Sequence, residues 1–352
     1  MNDQPWYRRM LNGQAGPWTA PIRGALRVAS AAYAVVVERR NARFDEPDAR
    51  RRVSLPVISV GNITVGGTGK TPMVIELLKR LHRMDAAPAV VARGYGRAGY
   101  AANDEQLLIQ ERCPFAVYVS DADRIAGATR AAELGADVIV LDDGFQHRRL
   151  ARDLDIVLVD ATCPFGYGHL LPRGLLREPP SALRRAHAVV LARCDQVSID
   201  EAAWIQARLR DLVPRAVHMK CRHRITSVEP LDGARAGIDL SGRRVVLFAG
   251  IANPAAFATT ISTLGATIVA KRWYRDHHRY TADDVASLTR AGQFPDHDVL
   301  VTTEKDAVKL AGLPGADPER ILVARMDLEF LDDGADRVRA LLEPTLALRR
   351  AP

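Results

Sequence analysis

Between Val57 and Thr71 the chain reads VISVGNITVGGTGKT, an apolar stretch that runs into a glycine-rich turn closing on Gly-Lys-Thr. Glycines at 61, 66, 67 and 69 let successive backbone N–H groups point inward at phosphate oxygens, because no Cβ obstructs the dihedrals of such a nest. Lys70 is placed to meet the β- and γ-phosphates of a nucleotide and Thr71 to ligate Mg²⁺. The pattern is not the strict G-x-x-x-x-G-K-[ST], since Thr64 stands where the first glycine belongs. Residues 136–147, ADVIVLDDGFQH, carry the acidic counterpart: an apolar strand ending in Asp142 and Asp143, the form of a Walker B element. One aspartate is expected at the ion and the other at the nucleophile. Arg93-Gly-Tyr-Gly-Arg97 closes another apolar run and Arg124 opens a helix, which puts basic groups on the ligand-binding edge of a sheet. Asp104-Glu105 and Asp276-His277-His278 are further polar clusters. A carboxylate supported by histidine can take the proton of a hydroxyl that attacks a γ-phosphate.

The elements that would hold these groups are legible as apolar runs. Strands are expected at 57–60, 88–92, 116–119, 138–141, 156–159 and 188–192, with helices at 73–81 and 122–134 between them. Continuous rather than alternating apolar strands, separated by helices, indicate a parallel sheet covered on both faces. Residues 213–230 show no helical period and are expected to leave this domain. A second βα series begins with a strand at 244–249, a helix at 254–264 and a strand at 267–270; a helix at 282–291 and strands at 299–302 and 321–324 follow. The expected fold is α/β: an N-terminal helical region over 1–52, a P-loop kinase-type domain over 53–220 with an α/β/α sandwich, and a smaller Rossmann-like α/β domain over 221–352. That last domain is expected to close over the cleft.

At 352 residues with 47% hydrophobic and 26% charged side chains, the chain is globular and large enough for two cores. Only six of its 49 basic residues are lysine, and arginine's planar fork suits phosphate and carboxylate. No basic run is interleaved with stacking aromatics, which argues against nucleic acid. The four cysteines are dispersed, without a C-x-x-C pair or zinc-like spacing, and point to a reducing compartment. No signal peptide is read at the N-terminus. A helix is expected over 21–40, with Arg23 and Arg27 one turn apart and ten weakly polar or apolar residues from Val28 to Val37. Ten residues are about half of what a bilayer crossing requires, but they suit a helix lying in the membrane surface beside Trp6, Tyr7 and Trp18, or one packed on its own domain. On these residues alone, two other P-loop classes stay open as switches at the membrane surface. A regulatory or partitioning ATPase would carry a lysine where this chain has Val65, and a GTPase would carry one where VLARCD has Arg193.

Taken in order, VGNITVGGTGKTP, ARGYG, DDGFQHRRL, LPRGLLREP, AGIANPAAF, DHH and TTEKDAVKL resemble the tetraacyldisaccharide 4′-kinase family of lipid A biosynthesis, over about residues 18–310. The resemblance implies an enzyme that uses ATP and Mg²⁺ to phosphorylate the 4′-hydroxyl of an acylated disaccharide 1-phosphate. It implies a peripheral, monotopic protein on the cytoplasmic face of the inner membrane with no obligate protein partner. By position it makes Asp104 the general base and His277 the group that tunes it, with Lys70 and Asp143 neutralising charge. It gives Thr71, Asp142, Asp143 and Glu178 to the metal, and Arg93, Arg124 and His147 to the substrate. Gly61, Asn62, Thr64, Gly66, Gly67, Thr68, Gly69, Lys70 and Thr71 would then line the nucleotide. The chain departs from the family pattern at Asn103 and Gln106, which replace glycine and proline around Asp104, and at Ala252, which replaces a glycine. The stretch from Gly96 to Asp104 is also shorter.

Overall fold

The structure is a computed structural model that describes residues 6–93, 103–234, 237–290 and 292–348. In chain order the elements begin with α1 (Trp6–Leu11), α2 (Ala20–Ala42), β1 (Val57–Asn62), α3 (Lys70–Arg83), β2 (Pro88–Ala92), α4 (Asp104–Arg112) and β3 (Val117–Ser120). They continue with α5 (Arg124–Glu133), β4 (Val138–Asp142), β5 (Leu154–Asp160), β6 (Ala188–Ala192), α6 (Ile199–Leu212) and β7 (Val217–Pro230). Then come β8 (Arg244–Ala249), α7 (Pro254–Ser262), β9 (Thr267–Trp273), α8 (Ala282–Thr289), β10 (Val299–Thr303), α9 (Glu304–Leu310), β11 (Ile321–Phe330) and α10 (Gly334–Ala347).

The chain divides into two compact units. Of the described residues, the first takes 6–93, 113–222 and 330–348; the second takes 103–112 and those described between 223 and 329. This differs from the expected division at 220/221 in one consequential way: α4, with Asp104 as its first residue, belongs to the same unit as His277. Residues 113–222 follow it in sequence but return to the first unit, so no cut at a single position could have reproduced the division.

In the first unit the strands run β3-β2-β4-β1-β5-β6-β7, parallel from β3 to β7. Every residue of β1, β2, β4, β5 and β6 is buried, as two-sided coverage requires. Register sets the site. Val60 lies opposite Asp142, so the glycine turn after β1 and the acidic pair after β4 emerge at the same edge. Ala92 opposite Ser120 and Asp160 opposite Ala192 bring Arg93, Arg124 and Arg193 to strand ends on that edge as well. β7, not foreseen as a strand, buries Met219, Cys221 and His223 in alternation with more exposed neighbours. In the second unit the order is β7-β11-β10-β8-β9, with parallel pairing from β11 to β9, and two apolar clusters form around Val245/Leu247/Phe257 and Val246/Phe248/Leu310.

Gly61 was expected in the nucleotide cradle; the structure gives it a packing function. A Cβ there would sit 2.5 Å from Phe145 Cβ and 2.8 Å from Phe145 N, so its bare backbone is what lets the loop after β4 close onto β1. Gly61→Ala is therefore expected to cost about 1–3 kcal/mol through forced displacement of Phe145, a fully buried ring. Thermal unfolding followed by circular dichroism should show a midpoint lower by several degrees.

Candidate active site

The first unit's site is built from three strand ends. Asn62, wholly buried at the end of β1, donates from Nδ2 to the Thr64 carbonyl at 2.8 Å and accepts from Lys70 Nζ at 3.3 Å. Asn62 thus positions the lysine, and Thr64 is engaged in shaping the turn. Gly66 and Gly69 take φ of 114° and 91°, values costly for any side chain. α3 starts at Lys70, so its unsatisfied N–H groups and positive dipole end face the turn. Thr68 is buried and its hydroxyl has no hydrogen-bond partner, an acceptor or donor held ready at the cradle. The Gly67 carbonyl accepts from Arg193 Nη2 at 2.7 Å, and Arg193 is itself paired with Asp160.

Asp143 has a left-handed backbone, φ 52°, rare outside glycine and characteristic of functional turns. Arg177 Nη1 lies 2.9 and 2.8 Å from its two oxygens, and Lys70 Nζ lies 3.4 Å from Oδ1. Burial alone would raise this carboxyl, but the charges of Lys70 and Arg177 outweigh it and hold it below the usual carboxylate range. Asp142 is buried beside it.

Arg177 belongs to a strap, residues 170–178, that is stitched to the phosphate turn. Arg177 N donates to the Ile63 carbonyl at 2.7 Å, Val65 N to the Leu175 carbonyl at 2.8 Å, and Thr64 pairs with Leu176 in an antiparallel bridge. α2 grips the other side of the strap. Ser30 Oγ donates to the Leu170 carbonyl at 2.9 Å and accepts from Arg173 N at 3.0 Å, and Tyr33 OH donates to the Arg177 carbonyl at 3.0 Å. Asn41 Nδ2 donates to Glu178 Oε2 at 2.8 Å. The inward residues 23, 26, 30, 33, 37 and 41 recur at three and four, the helical period.

Glu178 is where the structure departs most from the expected roles. Its carboxylate is wholly buried and shared between Asn41 and Arg185, whose Nη2 lies 2.9 Å away. Among the described residues no three His, Cys, Asp or Glu side chains gather as a metal site, so Glu178 does not join Asp142 and Asp143. It anchors α2. Arg124, expected at the substrate, is buried with its guanidinium donating to the carbonyls of Asp121 at 2.8 Å and Asp142 at 3.4 Å. It braces the acidic strand end. His147 keeps an unpartnered, buried Nε2; burial and the charges of Arg124 and Arg152 push it down to about 4, so the ring is neutral at pH 7. Arg93 ends β2 at the same edge, and residues 94–97 of the ARGYG motif lie outside the described residues.

The second unit carries the Asp104–His277 pair. Asp104 opens α4, where the dipole favours a carboxylate, and the Asn103 side chain caps that helix by accepting from Gln106 N at 2.7 Å. That cap accounts physically for the asparagine found in place of glycine. His277 Nδ1 lies 3.0 Å from both Asp104 oxygens, and its own backbone is left-handed at φ 58°. Lys305 and Lys309 of α9 add their charges at 3.8 and 3.6 Å from Oδ2. Burial alone would raise Asp104, but the His277 hydrogen bond and the Lys305, His277 and Lys309 charges bring it down to about 2. The same hydrogen bond raises His277 above its ordinary 6.5 against the opposing effects of burial and Lys305.

A family model described as LpxK, tetraacyldisaccharide-1-P 4′-kinase, matches residues 22–346. This chain belongs to that family. A tetraacyldisaccharide 4′-kinase of Anaeromyxobacter dehalogenans (strain 2CP-C) is 41% identical, covering 96% of this chain and 93% of its own length. Another from Syntrophus aciditrophicus (strain SB) is also 41% identical over 83% and 85%. Among solved structures, LpxK from Aquifex aeolicus in complex with ATP aligns with a TM-score of 0.71 at 26% identity, covering 92% of this chain and 99% of that one.

Four site residues of this kinase-family chain were not picked out by sequence reasoning: Arg177, Arg193, Lys305 and Lys309. Arg177 and the two lysines lay in strings valued only as wholes, LPRGLLREP and TTEKDAVKL, and Arg193 was weighed only as a departure from a GTPase loop. The paired shifts at Asp104 and His277 have a measurable consequence. The Asp104 contribution to stability is present above 3.8 and lost as pH falls toward 2; the His277 contribution is whole below 6.5 and lost as pH rises through its raised value. The pair's contribution to stability is thus complete at about pH 4 to 6.5. By NMR, His277 should titrate above 6.5 in the native chain and fall to or below it in Asp104→Asn.

Proposed function

We propose that the protein transfers the γ-phosphoryl group of ATP to the 4′-hydroxyl of an acylated disaccharide 1-phosphate, in lipid A biosynthesis. The observation that carries this reading is the convergence of Lys70 and Arg177 on Asp143 beside a glycine turn, in a chain of this family. The nucleotide's phosphates lie against Gly66 to Gly69 and the start of α3, with Lys70 on the outer phosphates. The Thr71 hydroxyl and the Asp142 and Asp143 carboxylates are hard oxygen donors that suit Mg²⁺, and the scarcity of clustered protein ligands fits an ion held largely by phosphates and water. When bound, the ion neutralises charge on the transferring phosphoryl group. Lys70 adds to that, and positioning with electrostatics supplies most of the acceleration.

Asp104 receives the hydrogen of the acceptor hydroxyl. At a pKa of about 2 it is a weak base, which suffices because a loose phosphoryl-transfer transition state asks for little proton removal until bonding to the phosphorus is advanced. His277 orients the carboxylate and stabilises its charge. One observation favours a second arrangement of the same pair: the Asp104 side chain is 5% exposed and that of His277 53%. The imidazole Nε2 could then take the proton while Asp104 holds the ring, as an aspartate does in a hydrolytic triad. α2 lies on the cytoplasmic surface of the inner membrane: it is long and apolar enough to cross a bilayer by length and composition, yet its hydrogen bonds to the strap hold one face to the protein.

Label transfer from [γ-³²P]ATP to a monophosphorylated acyl disaccharide in detergent micelles tests the activity. Lys70→Ala should lower kcat by about a hundredfold or more. ATP hydrolysis without label on the lipid would favour a nucleotide switch instead. If Asp104 is the base, His277→Ala retains residual turnover with a flat profile above about pH 5; if His277 is the base, both substitutions cost the same and the acid limb disappears with the imidazole.

A further inference from the structure

Residues 6–37 contain no aspartate or glutamate, and neither do residues 161–177, although between them they carry Arg8, Arg9, Arg23, Arg27, Arg173 and Arg177. Arg177 has a partner in Asp143. Arg23, Arg27 and Arg173 have no carboxylate partner among the described residues, and the fold nevertheless brings them together. Arg23, Arg27 and Ser30 follow at four and three along α2, and Ser30 Oγ accepts from Arg173 N at 3.0 Å, so the Arg173 backbone sits one turn beyond Arg27. Arg173 is 8% exposed, and its guanidinium is aimed back toward α1 by a 2.7 Å bond from Nη1 to the Leu11 carbonyl. Arg23 packs on the turn after α1, where its Nη1 would lie 2.8 Å from a Cβ on Gly13, and its Nε is buried without a hydrogen-bond partner. Burial and the charges of Arg23 and Arg27 push the Arg173 guanidinium below its ordinary value, and burial together with Arg173 and Arg27 does the same to His169. Like charges gathered without counter-charge are costly unless an anion arrives from outside.

The surroundings say which anion. The outer face of α2 exposes Ile22, Val28, Val35 and Val36, and at its start Trp18 stacks with Trp6 at a centroid distance of 6.1 Å, both rings exposed. Apolar side chains, indoles and arginines at one helix edge are the composition of a bilayer interface. Resting on the reading of α2 as a surface helix, we propose that Arg23, Arg27 and Arg173 bind the phosphate of an anionic phospholipid of the bilayer on which that helix lies. The guanidiniums reach the headgroup level while the valines enter the acyl boundary, and the planar forks offer the paired donors a phosphate accepts. Because Arg173 is part of the strap, the lipid is bound by the same segment that holds Arg177.

Co-sedimentation with vesicles of phosphatidylcholine alone and of phosphatidylcholine with phosphatidylglycerol, at low and high salt, tests the site. Arg23→Gln/Arg27→Gln alters only partly exposed or exposed side chains, so the fold should survive. The native chain should favour the phosphatidylglycerol vesicles, and the double variant should lose about thirtyfold of that binding, about fivefold for each guanidinium. Arg39→Gln/Arg43→Gln removes the same charge from the other end of α2 and should lose much less. An equal loss in the two double variants overturns the proposal in favour of diffuse attraction. Equal binding of the native chain to both vesicles overturns it while leaving the surface helix intact; binding to neither removes the surface helix too. In neutral detergent, kcat and KM for the lipid acceptor should be unchanged in Arg23→Gln/Arg27→Gln. A thirtyfold rise of that KM would show that the acceptor's own phosphate occupies the site, and would overturn the assignment to bilayer lipid.

Discussion

An ionised carboxylate has to be held in a left-handed turn beside a phosphate-binding loop, and the arrangement of the first unit follows from that demand. Asp143 keeps its charge because Lys70 and Arg177 face it, and each of those needs its own support. Asn62 steadies the lysine from beneath. The arginine is fixed by main-chain bonds on both of its flanks, to Ile63 on one side and to Tyr33 on the other. Lys70 and Arg177 both face this one carboxylate, so two cations stand at the loop that is to receive a triphosphate.

The second unit solves the opposite problem. Burial raises the pKa of a carboxylate that is only 7% exposed, and Asp104 is kept anionic by a histidine and two lysines. The lysines do not collapse onto it, because Lys309 is drawn to Asp306 at 2.8 Å and Lys305 to Glu105 at 3.2 Å. Asp306 is in turn held by Thr303 and the Gly250 N–H. The result is a fixed set of charges around Asp104.

Much of this was legible in the residue order. Continuous apolar strands and the glycine turn announced a parallel sheet with its ligand edge, and the order of motifs carried the family. What escaped was whatever depends on contacts distant in sequence. Asp104 was assigned to the P-loop domain because its neighbours in sequence are there, whereas α4 packs with α9, some 200 residues on. Glu178 looked like a metal ligand, whereas in the structure its Oε2 is shared between Asn41 and Arg185. Gly61 looked like part of the cradle, but its role is set by Phe145, a loop away. β7 was readable in principle, since Met219, Cys221 and His223 alternate with His218, Lys220 and Arg222; a search for helical period passed over a period of two.

The N-terminal helix has two faces with different obligations. Val28, Val35 and Val36 are exposed on one side. Ser30, Tyr33 and Asn41 are bonded into the segment that frames the catalytic loop. Trimming the helix to obtain a more tractable enzyme would therefore strip an oxygen of Glu178 of its amide and loosen the arginine on Asp143, so this N-terminal segment cannot be removed without cost to the loop it supports.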